Sequence, residues 1–204
     1  MKKYLFTILL LPLISKSQVL PLDEKTGKIS YSEIVQQTAT KDELYSRAKI
    51  WLARTFNSAQ DVVQSEDKEG GHIVAKGITT YTFISKYKKI ATPVDIQMHF
   101  TLFLDFKDGR YRYNFTDMHT ESRLQGREIK AAAEDLAKEV TQEMIDEQIA
   151  YLKSVTLIGK KGIEETIVMM KDAQIQHREN IDKNIKNLSE SLKAALAENT
   201  ADDW

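Results

Sequence analysis

MHFTLFLDFKDGRYRYNFTDMH, residues Met98 to His119, is the stretch whose polarity can be written out as a β-hairpin. Asp108-Gly109 at its centre is a preferred dipeptide for a two-residue turn. Closed there, paired residues have numbers summing to 217. Phe106 then faces Tyr111, Leu104 faces Tyr113 and Leu102 faces Phe115, three consecutive apolar pairs on one side of the pleat. The same register sets Phe100 against Asp117 and Met98 against His119. On the other side it sets Asp105 against Arg112, Phe103 against Asn114, Thr101 against Thr116 and His99 against Met118. The first side is a core face; the second, mixed and mostly polar, is expected to meet water or a partner.

Working toward the N-terminus, Ile73 to Ala75 and Val62-Val63 flank an acidic, glycine-ending turn, Glu66 to Gly71, and suit two more strands. The later one can run to about Phe83, and Lys86 to Thr92 reads as a polar connection to Pro93. Before them, Thr40-Lys41-Asp42-Glu43 fits a capping box, with Leu44, Ala48, Trp51 or Leu52, and Ala53 or Phe56 at helical spacing behind it. Lys28 to Gln36, with Ile29, Tyr31, Ile34 and Val35, suits a first strand.

Toward the C-terminus the alternation stops after Glu121. Ile129, Ala133, Leu136, Val140 and Met144, then Ile145, Ile149 and Leu152, predict one long amphipathic helix from about residue 127, punctuated by Gly159 and Gly162. A second helix is expected over Ile163 to Ala197, its stripe of Ile181, Ile185, Leu188, Leu192 and Leu196 interrupted upstream by Gln174 and His177. The first helix is expected to pack on the sheet. The second is expected to fold back on the first as a hairpin or to serve as an arm that docks a partner or a second copy of the chain.

The fold class expected is α+β: a β-α-β4-α antiparallel sheet with helices on one face, in the element order of the TATA-binding-protein-like fold, plus a helical C-terminal extension. The run from Leu20-Pro21-Leu22-Asp23 to Gly27-Lys28-Ile29, with Tyr31, Thr40 to Leu44, Ala48 to Trp51 and Lys76-Gly77, resembles an exported domain of unknown function with that fold in Gram-negative bacteria. The resemblance covers roughly residues 20–120. It implies the fold, and it brings no reaction, cofactor or catalytic residue with it.

The destination is read from the first residues. Lys2 and Lys3, the apolar run Tyr4 to Ile14 and the small residues of Ser15-Lys16-Ser17 have the order of a cleavable signal peptide, 1–17. The apolar run is shorter than the roughly 20 residues of a spanning helix. The domains expected are therefore a signal peptide, an α+β domain over 18–126 and a helical region over 127–204. Periplasmic or secreted location follows, with no lipoprotein cysteine, since the chain has no cysteine at all. That absence also excludes disulfides, thiolate nucleophiles and Cys-ligated metals. Without residues 1–17 the chain carries 26 basic against 30 acidic residues, and 18–126 has a net charge of only +1. Nucleic-acid binding, which needs a basic excess, is excluded on that ground.

Candidate chemistry is sparse. The sequence holds no Gly-x-Ser-x-Gly elbow, His-Glu-x-x-His helix, phosphate-binding glycine loop or dinucleotide fingerprint. Glu134-Asp135, Asp146-Glu147 and Glu164-Glu165 are sequence neighbours that diverge on a helix. His119 and Asp117 are the best pair for a metal or for hydrolysis, two residues apart on one strand, while the 217 register turns His99 to the opposite face. That leaves no catalytic, cofactor-binding or metal residue to name. The expected role is a non-catalytic binding or assembly module of the bacterial cell envelope with a protein or glycan partner, the alternative being a periplasmic enzyme with an unrecognised active site.

Overall fold

The computed structural model describes residues 20–56, 59–87, 90–124 and 127–198. The expected signal peptide lies outside them. The elements run β1 (Tyr31–Gln36), α1 (Lys41–Thr55), α2 (Ala59–Val62), β2 (Val63–Asp67), β3 (His72–Tyr87), β4 (Ile90–Lys107), β5 (Arg110–Leu124), β6 (Arg127–Ala132), α3 (Ala133–Ala137), α4 (Gln142–Val155) and α5 (Lys160–Ala197). The strands form one antiparallel sheet in the order β1-β5-β4-β3-β2, and β6 also pairs with β5. The α+β class and the antiparallel sheet follow the sequence reading.

The Asp108-Gly109 turn does more than close the hairpin. Gly109 takes a positive φ of 79°, which glycine adopts without steric cost. The Asp108 carboxylate accepts the backbone N–H of Lys41 at 2.8 Å, so the turn satisfies a free donor in the first turn of α1. The Thr40–Glu43 capping box forms as expected. α1 then lays Leu44, Ala48, Trp51 and Leu52 into the core. Across from them the apolar pairs Phe106↔Tyr111, Leu104↔Tyr113 and Leu102↔Phe115 hold the expected register and are all buried.

Three elements differ from the sequence reading. Lys86 to Thr92 is not a free connection: β3 and β4 stay paired to Tyr87↔Ile90, and Pro93 lies inside β4 opposite Ile84. Proline is admissible there because β5 pairs with β4 only as far as Gln97, leaving one side of β4 with no ladder to interrupt. Arg127–Ala132 is a strand rather than the start of a helix. β1 occupies only Arg110 to Phe115 of β5, so the stretch from His119 to Leu124 has an open edge, and β6 fills it. Lys130, opposite Glu121, ties the register with an ion pair of 2.7 Å. The remainder of the expected long helix divides into α3 and α4, and of α4 only Ile145 is buried.

The third difference concerns α5. It neither folds back on its predecessor along the apolar stripe nor presents that stripe as a docking arm. Ile181, Ile185, Leu192 and Leu196 are wholly buried in the same core cluster as α1 and the sheet. Polar contacts seat the helix: Trp51 Nε1 donates to Ser191 Oγ at 3.0 Å, Arg47 Nη1 to the Leu196 carbonyl at 2.9 Å, and Tyr31 Oη to Asp182 Oδ1 at 3.0 Å. His177 and Gln174, read as interruptions, have partners too. His177 Nδ1 lies 2.8 Å from Tyr81 Oη with its ring stacked on Phe83, and Gln174 reaches the Ala137 carbonyl. Beside them Gln176 bonds both the N–H and the carbonyl of Ile84, at 2.9 and 3.1 Å, taking the place of a neighbouring strand on the β3 edge. The core thus crosses the division expected between 126 and 127.

Candidate functional site

All the core-bearing helices lie on one side of the sheet, so the other side of β5-β4-β3 is where side chains from separate strands can meet without a cover. A ladder irregularity decides which ones do. Below it, Thr101 pairs with Thr116; above it, His99 pairs with His119, so Asp117 and Met118 together stand opposite Phe100. This is a β-bulge. Asp117 adopts φ 53°, a left-handed conformation open to aspartate but strained for most residues. Its carboxylate pairs with Lys28, just ahead of β1, and the neighbouring Ile29 N–H donates to Glu134 Oε1 at 2.7 Å. These contacts close the gap on β5 between the segments taken by β1 and β6.

One extra residue exchanges the faces of everything beyond it. Met118 turns into the core, 2% exposed, and Thr120 follows at 5%. His119 and Glu121 turn outward. The expected pairs Met98 with His119 and His99 with Met118 are therefore corrected to Met98↔Thr120 and His99↔His119. His99, which the unbroken register separates from His119, instead stacks on it, ring centroids 4.6 Å apart and planes within 10°. Asp117, the expected companion of His119, is engaged with Lys28.

Glu121 completes the group. Its Oε2 lies 3.5 Å from His99 Nε2 and its Oε1 3.5 Å from His119 Nε2, while Lys130 donates to Oε1 at 2.7 Å. The Lys130 hydrogen bond holds the Glu121 carboxyl below its ordinary range, and that carboxylate in turn raises Lys130. Loss of water on burial, assisted by the positive charges nearby, lowers His99 and favours its neutral ring; Glu121 opposes this more weakly. His99 Nε2 is buried with no hydrogen-bond partner among the described residues. Beside the histidines a depression of about 460 Å³ is lined by Lys76, Ile78, Thr101 and Asp117.

Farther down the same face, Asp105 receives Arg112 Nε at 2.8 Å and meets His72 Nδ1 at 2.6 Å. Burial works to raise Asp105, but these two partners outweigh it and hold the carboxyl below its usual range. Ile34 and Phe103 are exposed beside them, and Ile78 is exposed opposite His99. Sequence reasoning selected His119 and Asp117, set His99 on the opposite face, and missed Glu121 and Lys130, since it had neither the bulge nor a strand at 127–132. The available signal was the alternation Glu128-Ile129-Lys130-Ala131 opposite Glu121.

Residues 31–121 match a family model described as a domain of unknown function (DUF4468) with TBP-like fold. Two solved structures share the fold. A TBP-like protein from Parabacteroides distasonis superposes with a TM-score of 0.54 at 15% identity, covering 89% of this chain and 100% of that one. A DUF4468 family protein from Bacteroides ovatus gives 0.55 at 10% identity, covering 91% and 94%. No curated protein matches the chain.

Proposed function

We propose that this protein is an exported, non-catalytic binding module of the bacterial cell envelope, and that it engages a protein partner through the sheet face its helices leave uncovered. The observation that carries this reading is the composition of that face. Ile34 on β1, Phe103 on β4 and Ile78 on β3 are 59%, 39% and 51% exposed, the first two beside the Asp105–Arg112–His72 cluster and the third opposite His99. Dispersed apolar side chains beside satisfied charges are the makings of a protein–protein surface, apolar at its anchors and polar around them. The charge balance argues against a nucleic-acid partner. No helix among the described residues is long and apolar enough to cross a membrane, in keeping with a module that is released once its leader is cut.

Photo-crosslinking in cells tests the reading. A benzophenone side chain at Phe103 is expected to give a discrete adduct with an envelope protein, and one at Lys161, a solvent-exposed helix position, is expected to give none. Identical patterns from both positions, or none from either, would contradict it. Mass measurement of the mature chain tests export: a retained Met1–Ser17 segment would overturn that part.

A further inference from the structure

We propose that His99, His119 and Glu121 form a site for a zinc-class divalent metal ion on the uncovered sheet face. The three ligand atoms lie within 4.8 Å of one another. Glu121 Oε2 lies 3.5 Å from His99 Nε2, and its other oxygen, Oε1, lies 3.5 Å from His119 Nε2, both longer than the roughly 2.7–3.2 Å of a good N–H···O hydrogen bond. The Oε2–His99 separation is close to the edge of a zinc tetrahedron, which is about 3.3 Å when metal–donor distances are about 2.0–2.1 Å. The buried His99 Nε2 has no hydrogen-bond partner among the described residues, an arrangement that costs free energy unless something occupies the lone pair.

The donor set selects the ion. Two imidazoles and one carboxylate suit zinc and its first-row neighbours better than calcium or magnesium, which take oxygen ligands. Glu121 would bind through Oε2, because Lys130 keeps Oε1 at 2.7 Å and so fixes the carboxylate's orientation from the outer shell. The Lys130 charge is itself shared with Glu128 at 3.2 Å, which reduces its repulsion of a cation. Three ligands on a sheet surface leave a fourth position open toward the depression lined by Lys76, Ile78, Thr101 and Asp117. A water or a donor from outside would complete it. The site stands whether or not the uncovered face meets a partner.

Zinc and cobalt(II) titrations of the full mature chain test the proposal. One ion per chain is expected to bind at micromolar or lower concentration, with the intense visible absorption of four-coordinate cobalt. His99→Ala and His119→Ala should each weaken binding at least about tenfold, and Glu121→Gln should weaken it less. His72→Ala and His177→Ala should leave it unchanged. Nitrogen NMR of the wild-type chain gives a readout independent of any variant's folding: the ring signals of His99 and His119, out of four histidines in all, should move and saturate at one equivalent. Binding no tighter than millimolar, binding that survives loss of both His99 and His119, or saturating shifts confined to His72 and His177 would overturn it.

Discussion

The two halves of the β4–β5 ladder are built from the same two strands and obey different arithmetic. From Lys107↔Arg110 to Thr101↔Thr116 the residue numbers sum to 217, and the apolar pairs fall on the helix-covered face. From His99↔His119 to Gln97↔Glu121 they sum to 218, and the inward residues are Met118 and Thr120. The lower half is a core wall. The upper half, moved by one bulged residue, brings two histidines and a carboxylate together on the open side. A single backbone irregularity thus accomplishes what no sequence motif announces, because it changes which residues are neighbours without changing what they are.

The largest expected effect comes from removing what both halves share. A chain ending before Ile163 loses Ile181, Ile185, Leu192 and Leu196, all fully buried against the core face, and is expected to unfold or aggregate. A folded monomer on gel filtration with native circular dichroism would mean that α5 is an appendage after all. Next come truncations within each half. Leu102→Ala below the bulge and Met118→Ala above it should each cost about 2–5 kcal/mol, the range for buried large-to-alanine changes. Under an unbroken register Met118 would face outward and its truncation would cost little, so denaturant midpoints compare the two arithmetics directly. Thr101→Ala, on the open face, should cost far less than Leu102→Ala.

The bulge itself sets an intermediate effect. Asp117→Val places a β-branched side chain at φ 53° and should cost about 1–2 kcal/mol, the penalty of a left-handed residue. Asp117→Gly removes that strain and gives up the exposed, solvent-screened pair with Lys28, which the valine variant loses too, so the glycine variant should be the more stable of the two in urea. The smallest effect belongs to His119→Ala, a half-exposed position expected to shift stability within about 0.5 kcal/mol while abolishing most metal binding.

The legible part of the fold was the part in which local signals agree. Thr40 and Glu43 cap α1, Asp108-Gly109 closes the hairpin, and three apolar pairs follow from the pleat. The parts that escaped depend on vacancies elsewhere. Arg127–Ala132 reads as the start of a helix, because Ile129 and Ala133 are four apart, yet it becomes a strand because β1 stops at Phe115 and leaves the β5 edge open. The α5 stripe was visible from its spacing, but its destination was not. Periodicity marks a face to be buried without saying against what. The candidate site was half legible. His99 and His119 were noticed, but the ladder was carried past Asp117 unbroken, and nothing local in Thr116-Asp117-Met118 reveals that aspartate will take a left-handed conformation.

The most direct test of the displaced register is a pair of engineered disulfides, made clean by a chain that contains no cysteine. Directly opposed residues on antiparallel strands have Cα atoms about 4.5–5.5 Å apart, within disulfide reach. The His99→Cys/His119→Cys double variant is expected to oxidise nearly completely under mild conditions, seen as a loss of two mass units and of both free thiols. The His99→Cys/Met118→Cys variant should stay reduced in the folded protein, since Met118 points into the core on the opposite face. The reverse result, with 99 joined readily to 118 and not to 119, would restore the unbroken ladder and separate the two histidines.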